Sequence, residues 1–363
     1  MKTVRAKTGV GRLEGSLTED RILRWLLSQT SIEPFTVEVL KGEKPSDRGV
    51  DAIVKLSYGG VDRRFAVDVK VRASAKSLLD AAAQIQAAAP RGTFPMVVSS
   101  YLPSDIARQL LDQGVSALDL CGNIAVAVPG TWYIERLGAP NRFPDTRLVK
   151  NVFRGASSLV PRVLVSGERF RSATDLLAAI ESRGGSTSLP TVSRVLRQLE
   201  DEAVVIRSPE IMVTDQERFL RLFVSSYRPA LERARVAGRV TDLGAVRTSL
   251  AETARGGNFR IVGVAPERYV NFPSSYEEIV VYTTSAAAAL EGIDLRTDSP
   301  FQNLIVYETD DPSVFFDPRE EDGFPWAPPL EAYLRLATGD ERMREMATAL
   351  KPRVFERSGD DDR

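Results

Sequence analysis

Residues 50–71 read VDAIVKLSYGGVDRRFAVDVKV. Apolar and polar residues alternate on both sides of Gly59-Gly60, which predicts two β-strands joined by a tight turn. On a strand, residues i and i+2 share a face. Asp68 and Lys70 therefore project together, and Phe65, Val67, Val69 and Val71 project to the other side. The turn folds the first strand back, so Asp51 can land beside Asp68.

Outward from this hairpin, residues 17–29 (LTEDRILRWLLSQ) carry Ile22, Leu23, Leu26 and Leu27 at helical spacing. Thr18 is the expected cap, with Glu19 and Asp20 in the first turn. TVEVL precedes the hairpin as a strand. The alanine-rich stretch 74–88 reads as a helix, 95–100 as a short buried strand, and 104–113 as a helix capped by Ser104. ALDL, NIAVAV and WYIERL read as further strands. Strands mixed with helices to about residue 148 predict an α/β domain.

Two carboxylates and an ammonium converging on one point suit a divalent cation. Such an ion polarises a phosphate and lowers the pKa of bound water, and the lysine orients or deprotonates the nucleophile. Asp51 and Asp68 are the candidate metal ligands and Lys70 the candidate catalytic amine. Glu19 is a possible further ligand, and Gln84 or Gln86 can meet water or phosphate. The competing reading is an amphipathic strand whose Ala66, Asp68, Lys70 and Arg72 face is solvated. The order of Glu19 on a helix, Asp51 on a hairpin, Asp68-x-Lys70 and then a helix with Gln84 resembles the PD-(D/E)xK nuclease superfamily, although no proline precedes Asp51. The resemblance covers about residues 15–130. It implies a restriction-endonuclease-like core and phosphodiester hydrolysis that depends on Mg2+ or Mn2+.

Composition narrows the chemistry. The 363 residues contain no histidine and one cysteine. Histidine-based triads, His-ligated metals, internal disulfides and four-thiolate metal sites are excluded within this sequence. Lys+Arg is 48 against Asp+Glu 49, so overall charge gives no pointer to a partner. No apolar run approaches the ~20 residues of a membrane span. The N-terminus lacks the apolar core of a signal peptide, and a lone thiol suits a reducing interior, so the expectation is a cytoplasmic protein away from membranes.

From 150 onward the texture changes. RVLVSGERF, SATDLLAAIESRGG and SLPTVSRVLRQLEDE are mostly helical, and VVIRSPEIMVTD follows as a hairpin. Short helices ending in a hairpin are the order of a winged helix-turn-helix. Gly184-Gly185 ends one helix. Ser188 caps the next, with Pro190 in its first turn. Val192, Val195, Leu196 and Leu199 form a buried stripe, which leaves Thr191, Ser193, Arg194 and Arg197 outside for phosphates and base edges. Arg207 in the hairpin is a candidate wing contact. Residues 151–207 hold eight arginines against six acids, so the arrangement carries more of the argument than the charge does.

Residues 216–238 (QERFLRLFVSSYRPALERARVAG) read as a long helix broken near Pro229. Strands NFRIVGVA, EEIVVYTT and NLIVYET follow, then a proline-rich loop and two helical stretches, PPLEAYLRLATG and ERMREMATALKP. Charge separates along the chain: 216–260 has nine arginines and four acids, and 308–363 has 15 acids and eight basic residues. Asp310-Asp311 and Glu320-Glu321-Asp322 read as solvated loop charges rather than ligands.

The turn Asp119-x-x-Gly122-Asn123 within 101–126, the stretches across 285–352 and the winged helix together resemble AbiEi-type antitoxins and transcriptional regulators of type IV toxin–antitoxin systems. That resemblance implies a repressor that binds double-stranded DNA, and half-site reading by a winged helix predicts a homodimer. It also implies a C-terminal α+β domain of nucleotidyltransferase-like fold and a toxin protein as partner; without a Gly-Ser followed by paired carboxylates, that domain reads as non-catalytic. In the simplest members the winged helix comes first, whereas here about 150 residues precede it. The expected fold is a multidomain α/β chain: a nuclease-like domain at 1–148, a winged helix at 149–225 and the C-terminal domain at 226–363. The favoured function is a DNA-binding regulator; a metal-dependent DNA endonuclease is the alternative.

Overall fold

The computed structural model describes residues 17–40, 49–71, 74–143, 152–230, 232–257, 259–265, 268–269 and 278–355. The protein is mixed α/β, with a large curled mixed sheet and, among the described residues, 11 α-helices. The chain divides into two compact units, Met1–Arg147 with Asp201–Ala203, and Leu148–Glu200 with Val204–Arg363. No described helix is long and apolar enough to cross a membrane.

The first unit runs α1 (Glu19–Ser28), β1 (Ser31–Ile32), β2 (Phe35–Val39), β3 (Ala52–Tyr58), β4 (Val61–Lys70), α2 (Ala75–Ala88), β5 (Phe94–Ser99), α3 (Ser104–Asp112), β6 (Ser116–Asp119), β7 (Ile124–Val128) and β8 (Trp132–Arg136). All eight strands lie in chain order in one sheet. β4, β5 and β6 are parallel, with α2 and α3 as the crossovers; the other neighbours are antiparallel. Six strand spacings of ~4.8 Å would put β2 about 29 Å from β8 in a flat sheet. Instead the Phe35 and Trp132 rings are 5.4 Å apart, and Arg63 on β4 donates to Thr131 at 3.0 Å. The sheet is therefore strongly curled. Its concave face closes on Phe35, Phe65 and Trp132, with Ile22 and Leu26 from α1. Thr18 caps α1 by accepting from Arg21. The convex face, with Ala66, Val97, Ala117 and Ala125, packs on α2 and α3. Ser104 is the first residue of α3 and makes no capping bond; Pro103 occupies the cap.

The second unit begins with α4 (Leu159–Leu164), α5 (Ala173–Ser182), α6 (Leu189–Asp201) and a hairpin of β9 (Val205–Ile206) and β10 (Met212–Val213). Phe170 and Ile211 exchange both backbone hydrogen bonds, at 3.0 and 2.7 Å, which adds a third edge to that hairpin. α7 (Gln216–Ser226) follows, then β11 (Ala234–Gly238), α8 (Leu243–Gly256), β12 (Ile261–Val264), β13 (Ile279–Thr283), α9 (Ala286–Ala289), β14 (Leu304–Glu308), β15 (Arg319–Glu321), β16 (Phe324–Trp326), α10 (Pro329–Ala337) and α11 (Glu341–Val354). These strands form a six-stranded sheet in the order β11-β14-β13-β12-β16-β15. α8 and α9 cover one face; α10 and α11 cover the other.

Three sequence expectations change here. The long helix over 216–238 stops at Ser226: Pro229 interrupts it, and residues 234–238 pair as a strand with β14, about seventy residues on. The proline-rich loop contains the β15–β16 hairpin. Residues 243–256, read only for their charge, form α8, capped by Asp242.

α10 joins the two parts of the second unit. Leu330 and Leu334 enter the core around α4–α7, while Ala332 and Leu336 face the six-stranded sheet. Glu331 on the same helix is 5% exposed. It accepts from Arg162 of α4 at 2.7 Å and from the Tyr227 hydroxyl at 3.0 Å. Burial, first, and the Glu331 charge hold the Tyr227 pKa far above the usual phenol value.

Candidate functional site

Two groups of residues have the chemistry of a site, one in each unit. In the first unit the Gly59-Gly60 turn sets the β3–β4 register at Tyr58↔Val61 and Ala52↔Val67, so Asp51 lies opposite Asp68 just beyond the paired stretch. Asp51 donates its backbone N–H to Val67 at 2.7 Å, and its Oδ2 accepts from the Val69 N–H at 2.7 Å. The side chain thus extends the ladder past the end of β3, and it remains solvent-exposed.

Asp68 is 2% exposed, and Ala66 on the same face is fully buried. This overturns the reading of a solvated strand face; Arg72 lies outside the described residues. Lys70 Nζ donates to Asp68 Oδ1 at 2.7 Å. Among the described residues, Asp68 Oδ2 is buried without a hydrogen-bond partner. Burial pushes the Asp68 pKa up; the hydrogen bond and charge of Lys70 oppose this, and the negative charges of Asp51 and Glu19 add to it. Glu19, exposed at the start of α1, is therefore close enough for Asp68 to feel its charge. Gln84 on α2 lies against Gly49: its Nε2 is 2.6 Å from where a β-carbon on Gly49 would stand. Gly49 has φ +86°, so glycine is required there on both counts. Asp51, Asp68 and Lys70 come together, the Glu19 charge reaches Asp68, and Gln84 lies against Gly49, two residues before Asp51. Gln86 does not join them; its amide bonds the Gln113 carbonyl at 2.5 Å. Among the described residues, no group of three or more Asp, Glu, Cys or His side chains is placed to hold a metal ion. A cation here would rest on the Asp51–Asp68 pair.

In the second unit, α5 ends in paired bonds: Gly185 N–H to the Ile180 carbonyl and Gly184 N–H to the Glu181 carbonyl, both 3.0 Å. Gly184 has φ +76°, the left-handed residue that this helix ending needs. Three residues on, Ser188 Oγ accepts from the Thr191 N–H at 3.4 Å and lies 2.9 Å from the Thr191 hydroxyl, starting α6. Val192, Val195, Leu196 and Leu199 are each fully buried. Arg194 and Arg197 are exposed and make no hydrogen bond or ion pair with another described residue; Thr191 and Ser193 are half-buried beside them. Arg207 sits beyond β9, 3.9 Å from Glu200.

Sequence reasoning passed over Arg169 and Arg171. Both are exposed, and they flank Phe170, which is buried at its bridge to Ile211. The signal was the i, i+2 spacing of two arginines around a core aromatic. Leu189, the first residue of α6, is 40% exposed. Asp310 pairs with Arg233, Glu321 with Arg268, and Glu320 lies 3.9 Å from Arg255. These acids are exposed partners of arginines. No family model, curated protein or solved structure matches the chain.

Proposed function

We propose that the chain is a double-stranded-DNA-binding regulator that reads the major groove with α6. The observation that carries this is the pair of exposed arginines, Arg194 and Arg197, without partners among the described residues, on the solvent face of a helix whose Val192, Val195, Leu196 and Leu199 are fully buried. The order α4, Phe170 bridge, α5, glycine turn, α6 and β9–β10 hairpin supports a winged helix-turn-helix reading of residues 152–213. Arg194 and Arg197 would contact base edges and phosphates, Ser188, Thr191 and Ser193 would add hydroxyl contacts near the helix start, and Arg207 would serve as the wing contact. A homodimer rests on half-site reading by such a helix; a toxin protein as partner and a nucleotidyltransferase-like C-terminal domain rest on the sequence resemblance alone.

A second reading, metal-dependent phosphodiester cleavage by the first unit, is favoured by Asp68 Oδ2. A buried carboxylate oxygen with no donor, beside a second carboxylate, offers hard oxygen ligands of the kind Mg2+ or Mn2+ takes. The order α1, β2–β3–β4, α2, β5 supports a restriction-endonuclease-like core. Asp51 and Asp68 would hold the ion, which when bound supplies phosphate polarisation and a more acidic water. Lys70, released from Asp68, would be left to orient the nucleophile. Glu19 and Gln84 would line the approach.

One experiment separates the readings: native chain and Asp68→Asn, each with supercoiled plasmid and linear duplex, with Mg2+, with Mn2+ and with neither. Retardation of both substrates without cutting supports the regulator. Metal-dependent cutting lost in Asp68→Asn makes the first unit an endonuclease and α6 its targeting device. No retardation by either chain at low salt would overturn the DNA-binding reading.

A further inference from the structure

Phe315 and Phe316 are consecutive, yet they serve different parts of the second unit. Phe316 is 2% exposed and belongs to the core beneath α5 and α6, with Ile180, Val192 and Leu196. Its Cε2 is 2.8 Å from where a β-carbon on Gly185 would stand. Gly185 is the second glycine of the turn that launches α6. The next residue, Asp317, has φ +54° and donates its backbone N–H to the Arg183 carbonyl at 3.2 Å. This segment therefore clasps the turn at two points.

Phe315, 3% exposed, is held from the other side. Its ring lies under the Arg260 guanidinium, with Cζ 4.8 Å from the ring centroid, and its carbonyl accepts from Arg260 Nη2 at 2.8 Å. Arg260 and Phe315 line a cleft of about 240 Å³, together with Arg255, Ala251, Ile261 and Pro325. Its walls are aliphatic and aromatic, and two arginines there face one acid, Glu320. Among the described residues the Arg260 side chain makes one hydrogen bond, the one to Phe315, so most of its planar donor fork is available. That fork matches a carboxylate in both geometry and charge.

We propose that this cleft binds a small monocarboxylate with a compact apolar body, and that its occupancy weakens DNA binding. The carboxylate competes with the Phe315 carbonyl for Arg260. Losing that bond frees the 315–317 segment, relaxes the packing of Phe316 on Gly185, and loosens the turn that positions α6. The coupling half of the proposal rests on the DNA-binding reading; the cleft half does not.

The test uses the full chain, with benzoate and hexanoate as probes. Calorimetric titration is expected to show binding of at least one probe at millimolar concentration or tighter. Arg260→Lys and the exposed Arg255→Gln should each weaken it about tenfold, as for loss of one bidentate contact. Fluorescence anisotropy on a duplex should then show DNA affinity falling about fivefold or more at saturating probe, the usual scale of such coupling. Phe316→Leu should keep probe binding and lose most of that fall. Failure of both probes to bind, or binding insensitive to both arginine variants, overturns the cleft assignment. Arginine-dependent binding with unchanged DNA affinity overturns the coupling. Arginine-dependent binding by a chain that never binds DNA upholds the cleft and overturns the DNA-binding reading instead.

Discussion

Two aspartates lie near the carboxyl ends of parallel strands in one sheet, and they are satisfied in opposite ways. Asp119 ends β6 and is 4% exposed. Its Oδ1 accepts from the backbone N–H groups of Cys121, Gly122 and Asn123 at 2.8, 2.7 and 2.8 Å. Its Oδ2 accepts from Leu102 N–H at 2.8 Å and Asn123 Nδ2 at 2.6 Å. Gly122, at φ +102°, lets the turn wrap the carboxylate. Asp68 on β4 is just as buried, yet among the described residues it has one donor, Lys70, and one oxygen without a partner. Burial alone does not separate a structural carboxylate from a chemical one; the count of donors does. An unpaired buried oxygen costs about 1–3 kcal/mol. A fold that saturates one buried carboxylate and leaves its neighbour short of donors gives the two different weights in stability.

The comparison can be sharpened first with a third buried carboxylate. Glu331→Ala should cost about 3–5 kcal/mol, because it strands the Arg162 cation and the Tyr227 hydroxyl in the core; urea unfolding reads this directly. Asp119→Ala comes next, at about 3 kcal/mol, since five donors lose their acceptor at once. Asp68→Asn should change the unfolding free energy by no more than about 1 kcal/mol in either direction, because among the described residues Lys70 is its one donor. If Asp68→Asn destabilises as much as Asp119→Ala, the distinction between the two aspartates fails.

The pH dependence supplies a further contrast. Burial raises the Asp68 pKa in the folded chain, so the folded state binds the proton more tightly than the unfolded state. The stability linked to Asp68 is therefore fully present below the ordinary carboxylate value. It is lost as pH rises through the raised one. Asp68→Asn should flatten that decline in a series of unfolding curves across the acid range. The smallest stability effect belongs to Arg194→Ala with Arg197→Ala, within about 0.5 kcal/mol, since neither side chain has a partner to lose.

Local signals were legible in the sequence. Period-two alternation around Gly59-Gly60 placed Asp51 opposite Asp68, and the glycine pair plus Ser188 marked both ends of the turn before α6. Long-range pairing was not. ARVAG at 234–238 carries no local mark separating it from a continuing helix; its partner strand lies about seventy residues away. The curl of the sheet depends on Trp132 reaching Phe35 across six strand spacings, and the Arg162–Glu331 pair spans 169 residues. The Asp119 turn was visible as a pattern, but its five donors come partly from Leu102, on another segment. Of the first-unit site, residue types and faces could be read in advance. The orphaned oxygen of Asp68 could not, because it depends on what α2, α3 and the neighbouring strands leave unfilled.

The central claim, that α6 is a DNA-reading helix, is tested most directly by the salt dependence of duplex binding. Affinity for a mixed-sequence duplex would be measured from low to physiological salt for the native chain and for Arg194→Ala with Arg197→Ala. The account predicts a steep log–log decline for the native chain, and a slope shallower by about two in the double variant, as two phosphate-neutralising cations are lost. Equal affinities and equal slopes for the two chains would contradict it.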